Sequence, residues 1–169
     1  MTSWATGLHA AGGAGITTVL GLGNTLLGDD GIGVRVAEAL LAQRAPGLRA
    51  IDGGTMGFRL ADTLARSAAC ICVDAADLGA APGTVRQLSL EDLTARFATG
   101  GRSSAHEAGL LDLLGLVRLE GRLPPHLAIV AIQPAVLDWG ETLSPVVAAA
   151  LPRACEMVLQ ISRGWSDAK

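Results

Sequence analysis

The sequence contains no tyrosine, only two phenylalanines and three tryptophans, and its 13 basic residues are outnumbered by 16 acidic ones. Without gathered aromatics there is no stacking platform for bases, and a formal net charge of −3 gives no field to hold a phosphate backbone. Nucleic acid is therefore not an expected partner. Cysteine is scarce as well: Cys70, Cys72 and Cys155 have no disulfide-framework spacing, which fits a reducing cytoplasm. Cys70 and Cys72 stand two apart in an apolar strand pattern and would share one face. Such a pair can bind metal, but the plainer reading is two buried small apolar side chains. No stretch approaches the length that spans a bilayer, and the opening residues lack the basic start and apolar run of an export signal. The chain is expected to be cytoplasmic, with no membrane partner.

What the sequence does have is apolar surface and glycine. Half of its 169 residues are apolar and 22 are glycine, enough for one core of Val, Leu, Ile and Ala crossed by tight turns. Residues 1–16 are Gly- and Ala-rich without a period and read as a loose extension before a single domain over 17–169. Strand patterns over 17–21, 69–73, 84–88 and 127–132, with a short apolar run ending at Asp52, alternate with helical spacing. Ile32, Val36, Ala37, Leu40 and Leu41 mark one helix, stopped by Pro46-Gly47. A second is predicted over 57–66 with Phe58, Ala61, Leu64 and Ala65 inward, and a short third over 91–97. Ser104 and Glu107 match a capping box that would open a helix running to Leu119, and Ser144-Pro145 opens the last, which Pro152 would kink or interrupt. This alternation predicts an α/β domain with a twisted, mostly parallel sheet and helices on both faces.

In such a sheet ligands bind where the strands end, because loops and helix N-termini converge there. Polar groups recur at those ends: Asp29 and Asp30 in the loop after the first strand, Asp52-Gly53-Gly54-Thr55 after the second, Asp74 after the third. His106 follows the polar stretch 99–105, in the first turn of the predicted helix. The first loop invites a dinucleotide reading through Gly21-x-Gly23 and Asp52. However, Leu26 replaces the third glycine, and two carboxylates before the helix would repel a pyrophosphate. Asp29 and Asp30 are read either as helix caps or, with Asp74 and His106, as hard ligands suited to a divalent ion such as nickel or zinc. Neutral imidazole, the coordinating form, is favoured for a histidine near a helix N-terminus. The plain alternative for His106 is an exposed loop histidine. His9 and His126 have no carboxylate partners in the pattern, and Asp77 and Asp112 read as turn and surface acids. The absence of a Gly-x-Ser-x-Gly elbow, and of a cysteine at a strand end, disfavours acyl-enzyme chemistry.

The stretch 19–35, Val-Leu-Gly-Leu-Gly-Asn-Thr-Leu-Leu-Gly-Asp-Asp-Gly-Ile-Gly-Val-Arg, closely resembles the opening signature of the hydrogenase maturation proteases. Ile51 to Gly57, Val73-Asp74-Ala75 and Ser104 to Leu110 resemble the family's later signatures, in order, and the likeness covers Thr17 to Ser162. It implies a five-stranded twisted sheet and an endopeptidase that removes the C-terminal peptide of a nickel-loaded nickel–iron hydrogenase large-subunit precursor. It puts the metal-contacting and catalytic positions on Asp30, Asp74 and His106, with nickel carried by the substrate and no organic cofactor. Gly23, Asn24, Asp52, Gly53, Gly54 and Thr55 are expected to contact the peptide, although glycine-dependent turns explain the glycines equally well. Relatives often have an acid after the proline of Ala131 to Ala135, where this chain has Ala135. The rival readings are a self-sufficient metallohydrolase with its own zinc, and a nickel-checking or nucleotide-binding module without protease activity.

Overall fold

A computed structural model describes residues 15–55, 57–98 and 105–167, with the side chains of 97–98 and 105–108 outside the description. The central strand β1 (Thr17–Leu22) is buried along its length and pairs in parallel with β2 (Leu48–Gly54) on one side and β3 (Ala69–Ala75) on the other. β5 (His126–Ile132) extends the sheet in parallel beyond β3, and β4 (Val85–Leu88) closes the edge antiparallel to β5. The order is β2-β1-β3-β5-β4. A parallel return needs a crossover of a dozen or more residues, usually helical. The connection over 76–84 is too short for one, so β4 runs against β3.

Side chains alternate across the pleat and divide the core in two. Val19, Ile71, Val73 and Val130 face α1 (Ile32–Ala42) and α5 (Pro145–Asp167). Leu20, Leu22, Cys70, Cys72 and Ile129 face α2 (Ala61–Ala65), α3 (Leu90–Ala98) and α4 (Ala105–Leu119). β3 is covered on both faces, which is why it reads as an unbroken apolar run up to Asp74. At the start of β1, where Thr17 is buried, the Ser162 hydroxyl of α5 donates to its Oγ1 at 2.8 Å, so the polar atom is satisfied inside the core. No helix among the described residues is long and apolar enough to cross a membrane.

Two expectations change. Phe58 is not inward but 61% exposed, because the segment opens as a 3-10 turn (Gly57–Leu60), whose tighter pitch turns Leu60 to the core with Leu64. Pro152 does not interrupt α5, which is helical through it for 23 residues. The third helix also carries its own capping box: Ser89 N–H and hydroxyl donate to Asp92 Oδ2, and Asp92 N–H donates to Ser89 Oγ. The proposed box at Ser104 and the polar stretch 99–104 fall outside the described residues, although α4 does begin at Ala105.

The sheet is pinned to α1 by glycine rather than by side-chain packing. A Cβ on Gly33 would collide with the carbonyl oxygens of Val73 and Leu22, and one on Gly21 with Gly33 O and Ala37 Cβ. Helix and strands thus meet backbone to backbone. Gly33→Ala is expected to lower the unfolding free energy by about 3 kcal/mol through overpacking, read by urea denaturation. Gly109→Ala, in α4 with open space around its Cα, should be neutral or stabilising.

Candidate active site

The chain leaves β1 toward α1 and β2, and leaves β3 toward the opposite edge. Their outgoing segments diverge and open a crevice at the carboxyl ends of these two neighbouring strands, the place where open α/β sheets hold ligands. One wall is the 3-10 turn Gly28–Gly31, which carries Asp29 and Asp30 and packs on β3.

Asp30 is 3% exposed, and its Oδ2 accepts the Asn24 N–H at 2.7 Å. Asn24 is fixed in turn, its Oδ1 accepting the Leu26 N–H at 3.0 Å. Gly23 has φ 120°, and a Cβ there would strike the Asp30 carbonyl oxygen; its N–H donates to Gly54 O at 3.0 Å. Gly23 and Asn24, expected at a substrate contact, therefore have a structural duty as well: they shape the turn that presents Asp30.

Asp74 is 2% exposed and lies opposite Ala131 of β5, on the same pleat face as Cys70 and Cys72, the face that α4 covers. The second carboxylate therefore comes to the crevice from β3, beside the turn that holds Asp30. Position 106 sits in the first turn of α4, four residues before the buried Leu110, and its side chain lies outside the described residues. Among the described residues no group of three or more Cys, His, Asp or Glu is arranged to hold a metal. Two buried carboxylates at one crevice nonetheless form a hard oxygen donor set fitting a divalent cation.

Asp29 has a different task from its neighbour. It is fully buried, and its carboxylate accepts the N–H groups of Ala135 (2.9 Å), Val136 (2.9 Å) and Ser144 (2.6 Å) and the Ser144 hydroxyl (2.8 Å). Burial alone would push the carboxyl up, but these donors from Ser144, Val136 and Ala135 outweigh it and hold the group below its ordinary value. Asp29 thus ties the turn after β1 to the loop between β5 and α5. Ser144, expected as a helix cap, directs its hydroxyl to this carboxylate. The residue pattern grouped Asp29 with Asp30, the family resemblance singled out Asp30, and neither foresaw the bonding of Asp29 to residues 135, 136 and 144. The signal available was the adjacency itself, since neighbouring side chains in a tight turn point in different directions.

Asp52 does not end its strand. It lies within β2, is exposed, and pairs with Gly21 on the α1 side of the sheet, while the next residue, Gly53, turns toward Leu22 and Leu60. Gly54 takes φ 46°. Gly54 and Thr55 line an apolar cavity of about 240 Å³ with Leu22, Leu60 and Leu110. That cavity flanks the crevice on the α4 side. Asp77 is a turn acid: its Oδ1 accepts the Gly79 N–H at 3.1 Å and the Gln133 amide at 3.3 Å. Asp112 is on the exposed surface of α4. At Ala135 the backbone N–H serves Asp29.

The nucleotide reading finds no support here, since buried carboxylates and the Gly23–Asp30 contact fill the loop where a pyrophosphate would need bare N–H groups. The cysteines are unbridged and buried. Cys72 beside it, together with burial, pushes the Cys70 thiol well up, and burial raises Cys155, so neither is poised as a thiolate nucleophile.

Comparison with known proteins gives a consistent set of likenesses. A family model described as HycI, hydrogenase maturation protease, matches residues 34–161. The hydrogenase expression/formation protein HupD of Thiocapsa roseopersicina is 35% identical over 145 residues, which are 84% of this chain and 65% of that protein. The chain thus spans about two thirds of the length of that relative. The hydrogenase 2 maturation protease of Escherichia coli is 38% identical over 149 residues, 86% of this chain and 89% of that protein. The solved structure of the E. coli hydrogenase maturating endopeptidase HybD superposes with a TM-score of 0.78 at 36% identity, covering 88% of this chain and 93% of that one.

Because the Asp29 carboxyl is depressed in the folded state, its contribution is present above the ordinary value of 3.8 and is lost as pH falls through the folded value. Asp29→Asn, which sets an amide NH₂ against N–H donors, is expected to lower stability at pH 7 by about 2–3 kcal/mol. Urea titrations at several pH values should show the gap between wild type and variant narrowing below about pH 4.

Proposed function

The chain belongs to the hydrogenase maturation protease family, and from that premise we propose that it is the endopeptidase that removes the C-terminal peptide of a nickel-loaded nickel–iron hydrogenase large-subunit precursor. The observation that carries this reading is the pair of buried carboxylates, Asp30 and Asp74, delivered by separate elements to one crevice. Carboxylate oxygens are hard donors, so two such groups on elements that pack together suit a divalent ion arriving with the substrate. His106, in the first turn of α4, is the third ligand.

In this reading Asp30, Asp74 and His106 hold the nickel of the precursor, and through it fix the scissile peptide. Positioning is the main catalytic contribution, since the reacting carbonyl and the attacking water are brought together in one orientation. The water oxygen adds to the carbonyl carbon, the C–N bond breaks, and the leaving amine takes a proton. Asp30 is suited to accept the proton from water as general base, the aspartic-type role, because the Asn24 N–H engages Oδ2 and fixes the carboxylate in orientation. The metal brought by the substrate adds Lewis acidity at the carbonyl. Gly54 and Thr55, which line the apolar cavity, are suited to border the path of the extended peptide, with the buried Gly53 behind them. Asp52, exposed on the far side of β2, is less suited to that contact. Three unbridged thiols support a cytoplasmic setting.

Intact-mass spectrometry of nickel-loaded and nickel-free precursor, each incubated with this protein, tests the reading. A C-terminal peptide should be lost only from the loaded form. Asp30→Ala, Asp74→Ala and His106→Ala should each slow its release by about 100-fold or more while circular dichroism stays native. Cleavage of the nickel-free precursor at the same rate, or wild-type rates in all three variants, would overturn it.

A further inference from the structure

Exposed apolar side chains are ordinary when scattered, and informative when they gather on a rigid surface beside a site. Ten large apolar residues are exposed among the described ones, and four of them, Leu26 (47%), Val136 (48%), Leu137 (54%) and Trp139 (79%), come from the two loops that meet at the crevice rim. These loops are bonded together: Gly140 N–H donates to Leu26 O at 2.9 Å, Gly28 N–H to Gly140 O at 2.7 Å, and Asp29 N–H to Val136 O at 3.0 Å. The Asp29 carboxylate adds the N–H groups of Ala135 and Val136. The apolar side chains are therefore held outward by a backbone bonded to the turn that carries Asp29 and Asp30, rather than exposed through slack.

We propose that this ridge, Leu26 with Val136, Leu137 and Trp139, is the surface on which the folded body of the large-subunit precursor docks, so that its C-terminal tail enters the crevice in register with Asp30. The proposal rests on the protease reading above. The occupant follows from continuity: Leu26 belongs to the same turn as Asp30, and that turn is bonded to the loop of Val136 to Gly140, so the ridge adjoins the place where the substrate's tail would reach Asp30. The two surfaces also differ in chemistry. The crevice offers charge and backbone polar groups suited to an ion and a peptide, whereas the ridge offers a tryptophan and three aliphatic side chains, with the exposed Asp138 between Leu137 and Trp139, a mainly apolar surface suited to an apolar patch on a folded protein. Tryptophan at the centre of such a patch commonly dominates an interface. Because Asp29 bridges the ridge to the Asp30 turn, docking and chemistry share one rigid frame.

The test compares Trp139→Ser and Leu137→Ser with Leu119→Ser. Leu119 is 89% exposed at the C-terminal end of α4, just before the start of β5, and so at the end of the sheet away from the crevice. Cleavage of nickel-loaded precursor is followed by intact mass over a range of concentrations, and precursor affinity by interferometry. The ridge variants should raise KM and weaken affinity by about 10-fold or more, with kcat within about 2-fold, whereas Leu119→Ser changes neither. Unchanged KM and affinity, or a fall in kcat alone, would overturn the proposal. So would sedimentation showing a dimer of the free chain that Trp139→Ser dissociates, which would assign the ridge to a second copy. If the wild-type protein binds the precursor without cutting it, the protease reading fails by itself, and the affinity arm still decides the ridge. A precursor that does not bind at all overturns the ridge proposal.

Discussion

A carboxylate cut off from water must find its solvation in the protein, and Asp29 finds it in three backbone N–H groups and one hydroxyl supplied by residues 135, 136 and 144. Charge-assisted hydrogen bonds of this kind are stronger than neutral ones and are directional, so they fix where the donors sit. The donors are parts of the loop that leads from β5 into α5, and the acceptor lies in the turn that leads from β1 into α1. One buried charge thereby joins the β1–α1 turn to the β5–α5 loop at the crevice. The position of the turn that carries Asp30, the outward set of Trp139 and the entry of α5 all depend on that joint.

The sheet provides the second constraint. Five strands in the order β2-β1-β3-β5-β4 place a divergence between β1 and β3, and α1 is seated so closely there that Gly21 and Gly33 admit no side chain. That seat brings the 3-10 turn before α1 onto β3, where Asp74 waits on the face covered by α4. Two carboxylates distant in sequence are thus neighbours for reasons of backbone packing. The tight fit also explains part of the glycine content: Gly21, Gly23, Gly31 and Gly33 stand where neighbouring backbone approaches too closely for a side chain.

The work is divided among residues that look alike in sequence. Asp29 and Asp30 are adjacent, yet one is saturated with hydrogen bonds from a neighbouring loop and the other is oriented by Asn24 within its own turn. Gly23 and Asn24 build that turn. Asp77 and Gln133 organise the connection after β3, and Asp52 remains on an exposed edge strand. Most of the polar residues around the crevice are thus there to hold backbone.

The sequence by itself determined the architecture and the family. Apolar periodicity is local, so the alternation of strand and helix, the burial of Ala69 to Val73 and the stop at Pro46-Gly47 could be read directly. The run from Val19 to Arg35 is long enough to identify its relatives. Tertiary structure alone decided what depends on contacts between distant segments: the 3-10 pitch that exposes Phe58 and buries Leu60, the antiparallel edge strand, the strand order that brings Asp74 beside the Asp30 turn, and the bonding of Asp29 to Ser144. Hydrogen-bond partners more than 100 residues apart leave no trace in local pattern. A sequence can therefore nominate an acid, and only the fold can tell whether its charge is spent on structure or kept for a ligand.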